Sequence, residues 1–187
     1  MIPFPDKKYQ IIYADPPWSF KNYNDDTATN WVGKHYSTMS KSDICELPVS
    51  EIAHKDCILF IWGTWPTLPQ CLSVIVSWGF KYKTVAFNWL KLNKNDTPFF
   101  GMGYWTRSNT EFCLLATRGH PKRKSADVPQ VLQHPRLKHS QKPSIVRDKI
   151  IELVGDLPRI ELFARQETEG WDVWGNEVNL PHPGGKG

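Results

Sequence analysis

The stretch "YQIIYADPPWSF", residues 9–20, joins an apolar segment directly to an aspartate, two prolines and a tryptophan. Its first six residues are mostly isoleucine and tyrosine, which predicts a buried strand. Proline fixes φ and carries no N–H, so Pro16 and Pro17 make a rigid ledge whose carbonyls can only accept hydrogen bonds. The carboxylate of Asp15 adds two acceptors, and we expect Trp18 to offer a flat stacking face.

Acceptors in a row beside a stacking face suit an aromatic amine, such as the exocyclic nitrogen of adenine. This amine is a poor nucleophile because its lone pair is delocalised into the ring. Acceptors that hold its hydrogens favour a pyramidal nitrogen, which positions the lone pair for attack. A cationic electrophile such as a sulfonium methyl group would need no metal for this reaction.

The composition is that of a globular protein. The chain has 187 residues, 40% hydrophobic and 22% charged, which predicts one domain over 1–187. A net charge of +4 tolerates a polyanionic partner without establishing one. The first residues lack an apolar signal core, and the longest apolar run, "CILFIW", is too short to cross a bilayer. We therefore expect a cytosolic or nuclear protein, and the four cysteines form no zinc-type pattern.

The rest of the chain alternates strand and helix patterns. Strands are predicted at 57–62, 82–91, 110–117 and 158–163, and helices at 40–46, 48–54, 66–79 and from about 143 to 155. This alternation predicts an α/β fold, a mostly parallel sheet with helices on both faces. Ligands bind beyond the carboxyl ends of such strands. Three places fit that rule: Asp15–Trp18, Trp62–Trp65 and Glu161–Arg165.

The "DPPW" motif after an apolar strand resembles the catalytic motif of amino-methyltransferases that modify adenine N6. The chain is similar to the family typified by the catalytic subunit of the mRNA adenosine methyltransferase, and above all to its short phage and bacterial members. The resemblance is carried, in family order, by "ADPPW" (14–18), "HYSTM" (35–39), "LFIWGT" (59–64), "EFCLLATRGHP" (111–121), "HSQKP" (139–143), "IELFAR" (160–165) and "GWDVWGNEV" (170–178). It implies a Rossmann-like methyltransferase fold and S-adenosylmethionine as the cofactor.

The resemblance also implies roles for individual residues. Asp15, Pro16, Pro17 and Trp18 would form the catalytic ledge, with Asp15 near the methionine amino group. Lys142 would pair with the methionine carboxylate, and its place before Pro143 at a helix start also favours an anion. Further cofactor contacts are expected from Glu161, Phe163, Arg165, Thr168, Asn176 and Glu177. Glu161 could instead be a plain carboxylate near the strand end.

Substrate contacts are expected from a second set of residues. His35 and Tyr36 belong to the loop that would fold over the target adenine, and Trp62 ends a strand near it. We expect the basic stretches 118–124 and 134–139 at the active edge, where they would contact phosphates. Their candidate residues are Arg118, Lys122, Arg123, Lys124 and Arg136. No metal is expected.

The sequence departs from the family pattern at one turn and leaves more than one function open. Ala164 stands where the family commonly has glycine, and Glu167-Thr168 where larger members have His-Asn, so the resemblance does not extend to the detailed ribose contacts. Small size and the lack of a recognition domain favour DNA over RNA as the substrate. A non-catalytic nucleic-acid-binding subunit of the same family is an alternative. A nucleotide hydrolase is a third, but no Walker loop or GxGxxG is present. The sequence leaves open whether the chain forms a homodimer.

Overall fold

The fold is built on β1, Tyr9–Ala14, whose residues are nearly all buried. The computed structural model describes residues 3–19, 38–103, 105–137, 141–176 and 178. The later strands are β2 (Ala53–Gly63), β3 (Lys81–Leu92), β4 (Thr110–Arg118), β5 (Val131–Pro135), β6 (Arg159–Leu162) and β7 (Asp172–Trp174). The helices are α1 (Lys41–Glu46), α2 (Val49–Ile52), α3 (Leu68–Ser77) and α4 (Ile145–Val154), with a 3₁₀ turn at Trp65–Thr67.

Within the described residues, the seven strands form one sheet in the order β5-β3-β4-β2-β1-β6-β7. Strand β1 is parallel to both of its neighbours, β2 and β6, and β7 and β5 also pair in parallel. Strand β4 alone runs against its two neighbours, β2 and β3. The sheet is therefore mixed, with parallel pairings in the majority, and the predicted α/β class is confirmed.

Helices cover both faces of the sheet, as the sequence pattern predicts. Alternate residues of β1 point to opposite faces: Ile12 belongs to one buried cluster with Ile44 of α1 and Val74 of α3, while Ile11 belongs to a second cluster with Val146 of α4. The apolar stripe of α4 recurs every three to four residues, which is why this helix buries one side only.

Two local differences from the predicted elements have clear physical causes. Residues 53–54, expected at the end of a helix, instead begin β2, which starts four residues before the predicted strand because Ala53 pairs with Tyr9 of β1. Strand β5 was not predicted because its sequence, "VLQHP", is short and lies in a basic, proline-rich stretch; it forms by pairing with β3.

The reversal of β4 decides which loops reach the carboxyl edge of the sheet, which is the edge where the parallel strands β1, β2 and β6 end. Because β4 is antiparallel, its first residues lie at this edge and its last residue, Arg118, lies beside Cys57 near the opposite edge. Strand β3 runs in the sense opposite to β4, so Lys91 at its end also reaches the carboxyl edge. The long β3–β4 connection therefore projects from the same edge as Asp15.

Candidate active site

Four charged side chains of alternating sign meet at the carboxyl edge. The Nζ of Lys142 lies 2.8 Å from Oδ2 of Asp15 and 3.4 Å from Oε2 of Glu111. The other carboxylate oxygen of Glu111 accepts a hydrogen bond from Nζ of Lys91. We call Asp15, Lys142, Glu111 and Lys91 the charge cluster. The strand pairing explains it, because β1 ends, β4 begins and α4 is about to begin at this edge.

The charge cluster is mostly shielded from solvent, with side chains between 13% and 22% exposed. Burial raises the pKa of Asp15, and Lys142 offsets only part of this rise. Burial alone would lower the pKa of Lys142, but Asp15 and Glu111 raise it above the usual lysine value. Burial would likewise raise the pKa of Glu111, yet the two lysines lower it. Lys142 is therefore a cation and Glu111 an anion at neutral pH.

Two buried tryptophans lie on the core side of the charge cluster. The indole N–H of Trp18 donates to the carbonyl of Trp62 at 2.9 Å, and the indole N–H of Trp62 donates to the hydroxyl of Tyr13 at 2.7 Å. The Nζ of Lys142 lies 5.5 Å from the centroid of the Trp62 ring, within cation–π range. Trp18 is 8% exposed and Trp62 0%. The flat face expected of Trp18 is therefore not open in this structure, and both tryptophans anchor the site; the expected substrate contact of Trp62 stays a prediction.

The two prolines of the ledge follow Asp15 at the end of β1, and their carbonyls are not free. The carbonyl of Pro16 accepts from the N–H of Trp18 at 2.8 Å, and that of Pro17 from the N–H of Met39 at 2.9 Å. A carbonyl oxygen has two lone pairs, so Pro16 can accept one further bond. The bond to Met39 ties the ledge to the segment that leads into α1.

Glu161, a predicted cofactor residue, is held by a partner that the sequence did not suggest. Arg147 of α4 donates to both of its carboxylate oxygens, at 2.7 and 2.9 Å. The guanidinium of Arg147 also lies 5.9 Å from the ring centroid of Tyr13. Glu161 is 8% exposed, so this bidentate pair compensates a charge that is almost fully out of water.

The turn after β6 brings two more predicted cofactor residues to the carboxyl edge. Phe163 has a φ of 61°, which is rare for a bulky residue. Such backbone strain is often found at functional sites. Arg165 is near enough to Asp15 to lower its pKa. Gly175 packs so tightly on this turn that a Cβ there would lie 2.4 Å from the carbonyl oxygen of Ala164. This contact places Asn176, which is exposed, beside the same turn.

Thr168, another predicted cofactor residue, does not lie at the carboxyl edge. It lines an open cleft of about 580 Å³ together with Tyr9 and Asp172, next to the start of β1. Asp15 follows the other end of that strand, so the structure does not bring Thr168 to the charge cluster. His35, Tyr36 and Glu177 lie outside the described residues, and their expected roles stay predictions.

Most of the basic residues do not lie where we expected them. Arg118 donates to the carbonyl of Ser50 at 2.8 Å, near the amino-terminal end of β2. The backbone N–H of Lys124 bonds to the carbonyl of Leu153, in the last turn of α4. The stretch 118–124, with Lys122 and Arg123, is thus at the opposite edge from Asp15, and the expectation that it lies at the active edge is wrong. Arg136 does lie at the carboxyl edge, after β5, and its guanidinium carbon is 4.2 Å from the ring centroid of Phe99.

Sequence reasoning missed three residues of the site: Glu111, Lys91 and Arg147. Each had a signal, because each interrupts an otherwise apolar strand or helix face. A charge inside a buried element implies an opposite charge nearby. The sequence does not say which one, since that depends on how β3, β4 and α4 are placed.

Metal and membrane features are both absent from the described ranges. No group of three or more His, Cys, Asp or Glu side chains in them is placed to hold a metal ion. No helix there has both the length and the apolar character to cross a membrane.

A mixed seven-stranded sheet with helices on both faces and a charged site at its carboxyl edge is a Rossmann-like α/β enzyme architecture. A sequence profile of the MT-A70 family matches residues 9–177, and the chain belongs to this family. The family expected from the motifs is thereby confirmed.

Three relatives are similar over almost the whole chain. The type II methyltransferase M.MunI from a Mycoplasma species is 37% identical over 202 residues, which cover 96% of this chain and 84% of the relative. The N6-methyladenosine RNA methyltransferase MTA1 of Cryphonectria parasitica is 26% identical, covering 91% of this chain and 52% of its own length. The N(6)-adenine-specific methyltransferase METTL4 of Mus musculus is 27% identical, and the match covers 92% of this chain and 38% of the relative. The chain thus spans about half of the length of MTA1 and less than half of the length of METTL4.

The pair of Arg147 and Glu161 generates a prediction about stability. Arg147→Met removes both hydrogen bonds from a buried carboxylate, which should lower the free energy of unfolding at neutral pH by roughly 3–5 kcal/mol. Burial raises the pKa of Glu161 above its ordinary 4.5, and loss of Arg147 should raise it further. The folded variant then binds a proton more tightly than the unfolded chain, so its deficit should grow as the pH rises from 4.5 towards 8.

The measurement is urea unfolding of wild type and variant at several pH values. The control is Arg147→Met combined with Glu161→Gln, which has no carboxylate at position 161 and should lose the pH-dependent part of the deficit. A deficit of equal size at every pH would contradict the assigned charge pairing.

Proposed function

We propose that this protein transfers the methyl group of S-adenosylmethionine to the exocyclic N6 amine of adenine in DNA. The observation that carries this proposal is the largely shielded Asp15, held by Lys142 at the carboxyl end of β1, on a proline ledge in an MT-A70 chain. The relatives named for adenine-N6 methylation support the target atom.

The ledge is suited to hold an amine. Asp15 is bonded to Lys142 through Oδ2, which leaves Oδ1 to accept one amine hydrogen. The Pro16 carbonyl can accept the other, since one of its lone pairs is still available. Burial makes Asp15 more basic than an exposed aspartate, so it is a better acceptor. The methyl donor is already a cation, and two acceptors at the amine favour the developing N–C bond.

The residues at this edge fit the methionine end of S-adenosylmethionine, which carries one ammonium and one carboxylate. The charge cluster offers both signs side by side: Lys142 would hold the carboxylate and Asp15 the ammonium. Arg165 and Asn176, at the turn after β6 and the end of β7, would hold the ribose side. When bound, the cofactor supplies an activated methyl group. Glu161 is fixed by Arg147, and we propose that it faces the cofactor from the end of β6.

The choice of DNA rests on the relatives. The Mycoplasma relative is named a type II methyltransferase, is 37% identical and is covered over 84% of its length, and we infer DNA as the substrate from this likeness. The Cryphonectria relative, which is named as an RNA methyltransferase, is 26% identical, and the match covers only 52% of its length. The intact pair of Asp15 and Lys142 disfavours a purely non-catalytic subunit, which has no need of a buried carboxylate at that place.

The direct test is methyl transfer from labelled cofactor to matched adenine-containing duplex DNA, single-stranded DNA and RNA. We expect DNA to be the better substrate. Asp15→Asn should reduce the rate on that substrate at least ~100-fold, because it removes the anionic acceptor from the transition state. The exposed Asp127→Asn, in the connection between β4 and β5, is the matched control and should have no effect. Preference for RNA would overturn the DNA assignment, and full activity of Asp15→Asn would overturn the role of the ledge.

A separate prediction concerns the cofactor and needs no turnover. Calorimetric titration of S-adenosylmethionine into Lys142→Met should show binding weakened at least about tenfold, as expected for loss of a charge-assisted bond. Lys149→Met, on α4 and paired with Glu152, is the control that should bind normally. Circular dichroism verifies the fold of both variants. Unchanged affinity in a folded Lys142→Met protein would show that Lys142 does not hold the carboxylate.

A further inference from the structure

The connection between β3 and β4, residues 93–109, exposes an unusual set of large apolar side chains. Trp105 is 100% exposed, Met102 88% and Phe100 61%. We call the described residues of this range the β3–β4 loop. Several large apolar side chains exposed within one short segment are costly to leave in water, so such a segment usually marks a binding surface.

The exposure is not the result of a loosely built connection. The backbone N–H of Asn93 bonds to Thr97 at 2.8 Å and that of Gly101 to Ser108 at 2.7 Å. At the base, the N–H of Lys91 bonds to the carbonyl of Asn109 at 2.9 Å. The two sides of the β3–β4 loop are therefore tied together along its length, while the large side chains near its tip remain outside. This is the arrangement of a surface that packs against something other than its own chain.

The β3–β4 loop is joined directly to the charge cluster. Lys91 lies just before it and Glu111 two residues after it. Trp65, 45% exposed, bonds through its indole N–H to Thr110 at 2.8 Å and extends the aromatic surface towards Asp15. Of the nine large apolar side chains exposed in the described residues, six belong to segments at the carboxyl edge: Trp65, Phe100, Met102, Trp105, Leu137 and Ile145.

The charges around this patch favour an anionic partner. Lys94 and Arg107 are exposed on the β3–β4 loop, against a single acidic residue, Asp96. Arg136 lies over Phe99 at 4.2 Å and adds a third cation at the rim. Aromatic faces interleaved with cations are the combination that holds nucleic acid, because bases stack on the rings and phosphates pair with the cations.

We propose that the β3–β4 loop is the surface that grips the nucleic acid beside the target adenine, with Trp105 and Phe100 stacking on or between bases and Lys94 and Arg107 contacting phosphates. This inference rests on the proposed function. An adenine in a duplex must leave its stack to reach a carboxylate set into the edge of the sheet, and the bases next to it then lose a stacking partner. Exposed aromatic side chains adjoining the site replace that partner.

The first experiment measures affinity for the labelled DNA duplex that wild type methylates. Trp105→Ala and Phe100→Ala should each weaken binding about tenfold, the usual effect of losing one base-stacking ring. Both side chains are exposed, so their removal should leave the fold unchanged. Tyr82→Ala is the matched control, since Tyr82 is 46% exposed but begins β3 at the opposite edge. It should bind as wild type does.

The second experiment separates the two basic surfaces by salt dependence. Lys94→Ala with Arg107→Ala should make the slope of log affinity against log salt shallower by about one to two, because two cations no longer neutralise phosphates. Lys122→Ala with Arg123→Ala removes the same charge from the opposite edge and should leave the slope unchanged. Equal slopes in all three proteins, or a change only in the Lys122 and Arg123 variant, would overturn the proposal.

The failures of the two proposals can be told apart. If wild type methylates no nucleic acid, the proposed function is wrong. If wild type methylates DNA but Trp105→Ala and Phe100→Ala bind it as tightly as Tyr82→Ala does, only the role of the β3–β4 loop is wrong. Sedimentation velocity completes the test: if these variants lose affinity only because a dimer dissociates, the surface binds a second copy of the chain and the inference is overturned.

Discussion

The site depends on the contacts of Lys142 with two largely shielded carboxylates. This lysine contacts Asp15 after β1 and Glu111 at the start of β4, and it stands just before α4, so one ammonium group joins three parts of the chain. Charges this well shielded are tolerated only when paired. Loss of any member would leave an uncompensated charge beside the ledge, so the arrangement of the sheet and the chemistry of the site constrain each other.

The antiparallel strand β4 makes this arrangement possible. In an all-parallel sheet every strand would bring its last residue to the carboxyl edge, and position 118 rather than 111 would stand beside Asp15. The reversal instead delivers a carboxylate to Lys142 and places the β3–β4 loop next to the site. The same reversal takes the basic stretch 118–124 to the other edge. One strand direction therefore decides both what lines the site and which surface flanks it.

The sequence predicts the parts of the fold and site that depend on local pattern. The strand before Asp15, the proline ledge and the charge on Lys142 can all be read from residue order. The direction of a strand cannot be read from the sequence, because the alternation of apolar residues is the same in both directions. For this reason Glu111 was missed and Lys122 was expected at the wrong edge of the sheet. Burial of a particular tryptophan also escapes prediction. Trp18 was expected to offer a stacking face, yet its indole N–H, like that of Trp62, bonds inside the core.

The central claim is that this edge of the sheet presents acceptors to the exocyclic amine of adenine. The most direct measurement is mass spectrometry of nucleosides from DNA that the wild-type protein has modified with S-adenosylmethionine. The account predicts that the methyl group is found on N6 of deoxyadenosine. A methyl group on a ring nitrogen of adenine or on cytosine would contradict it, because acceptors at the ledge would then not hold the reacting atom.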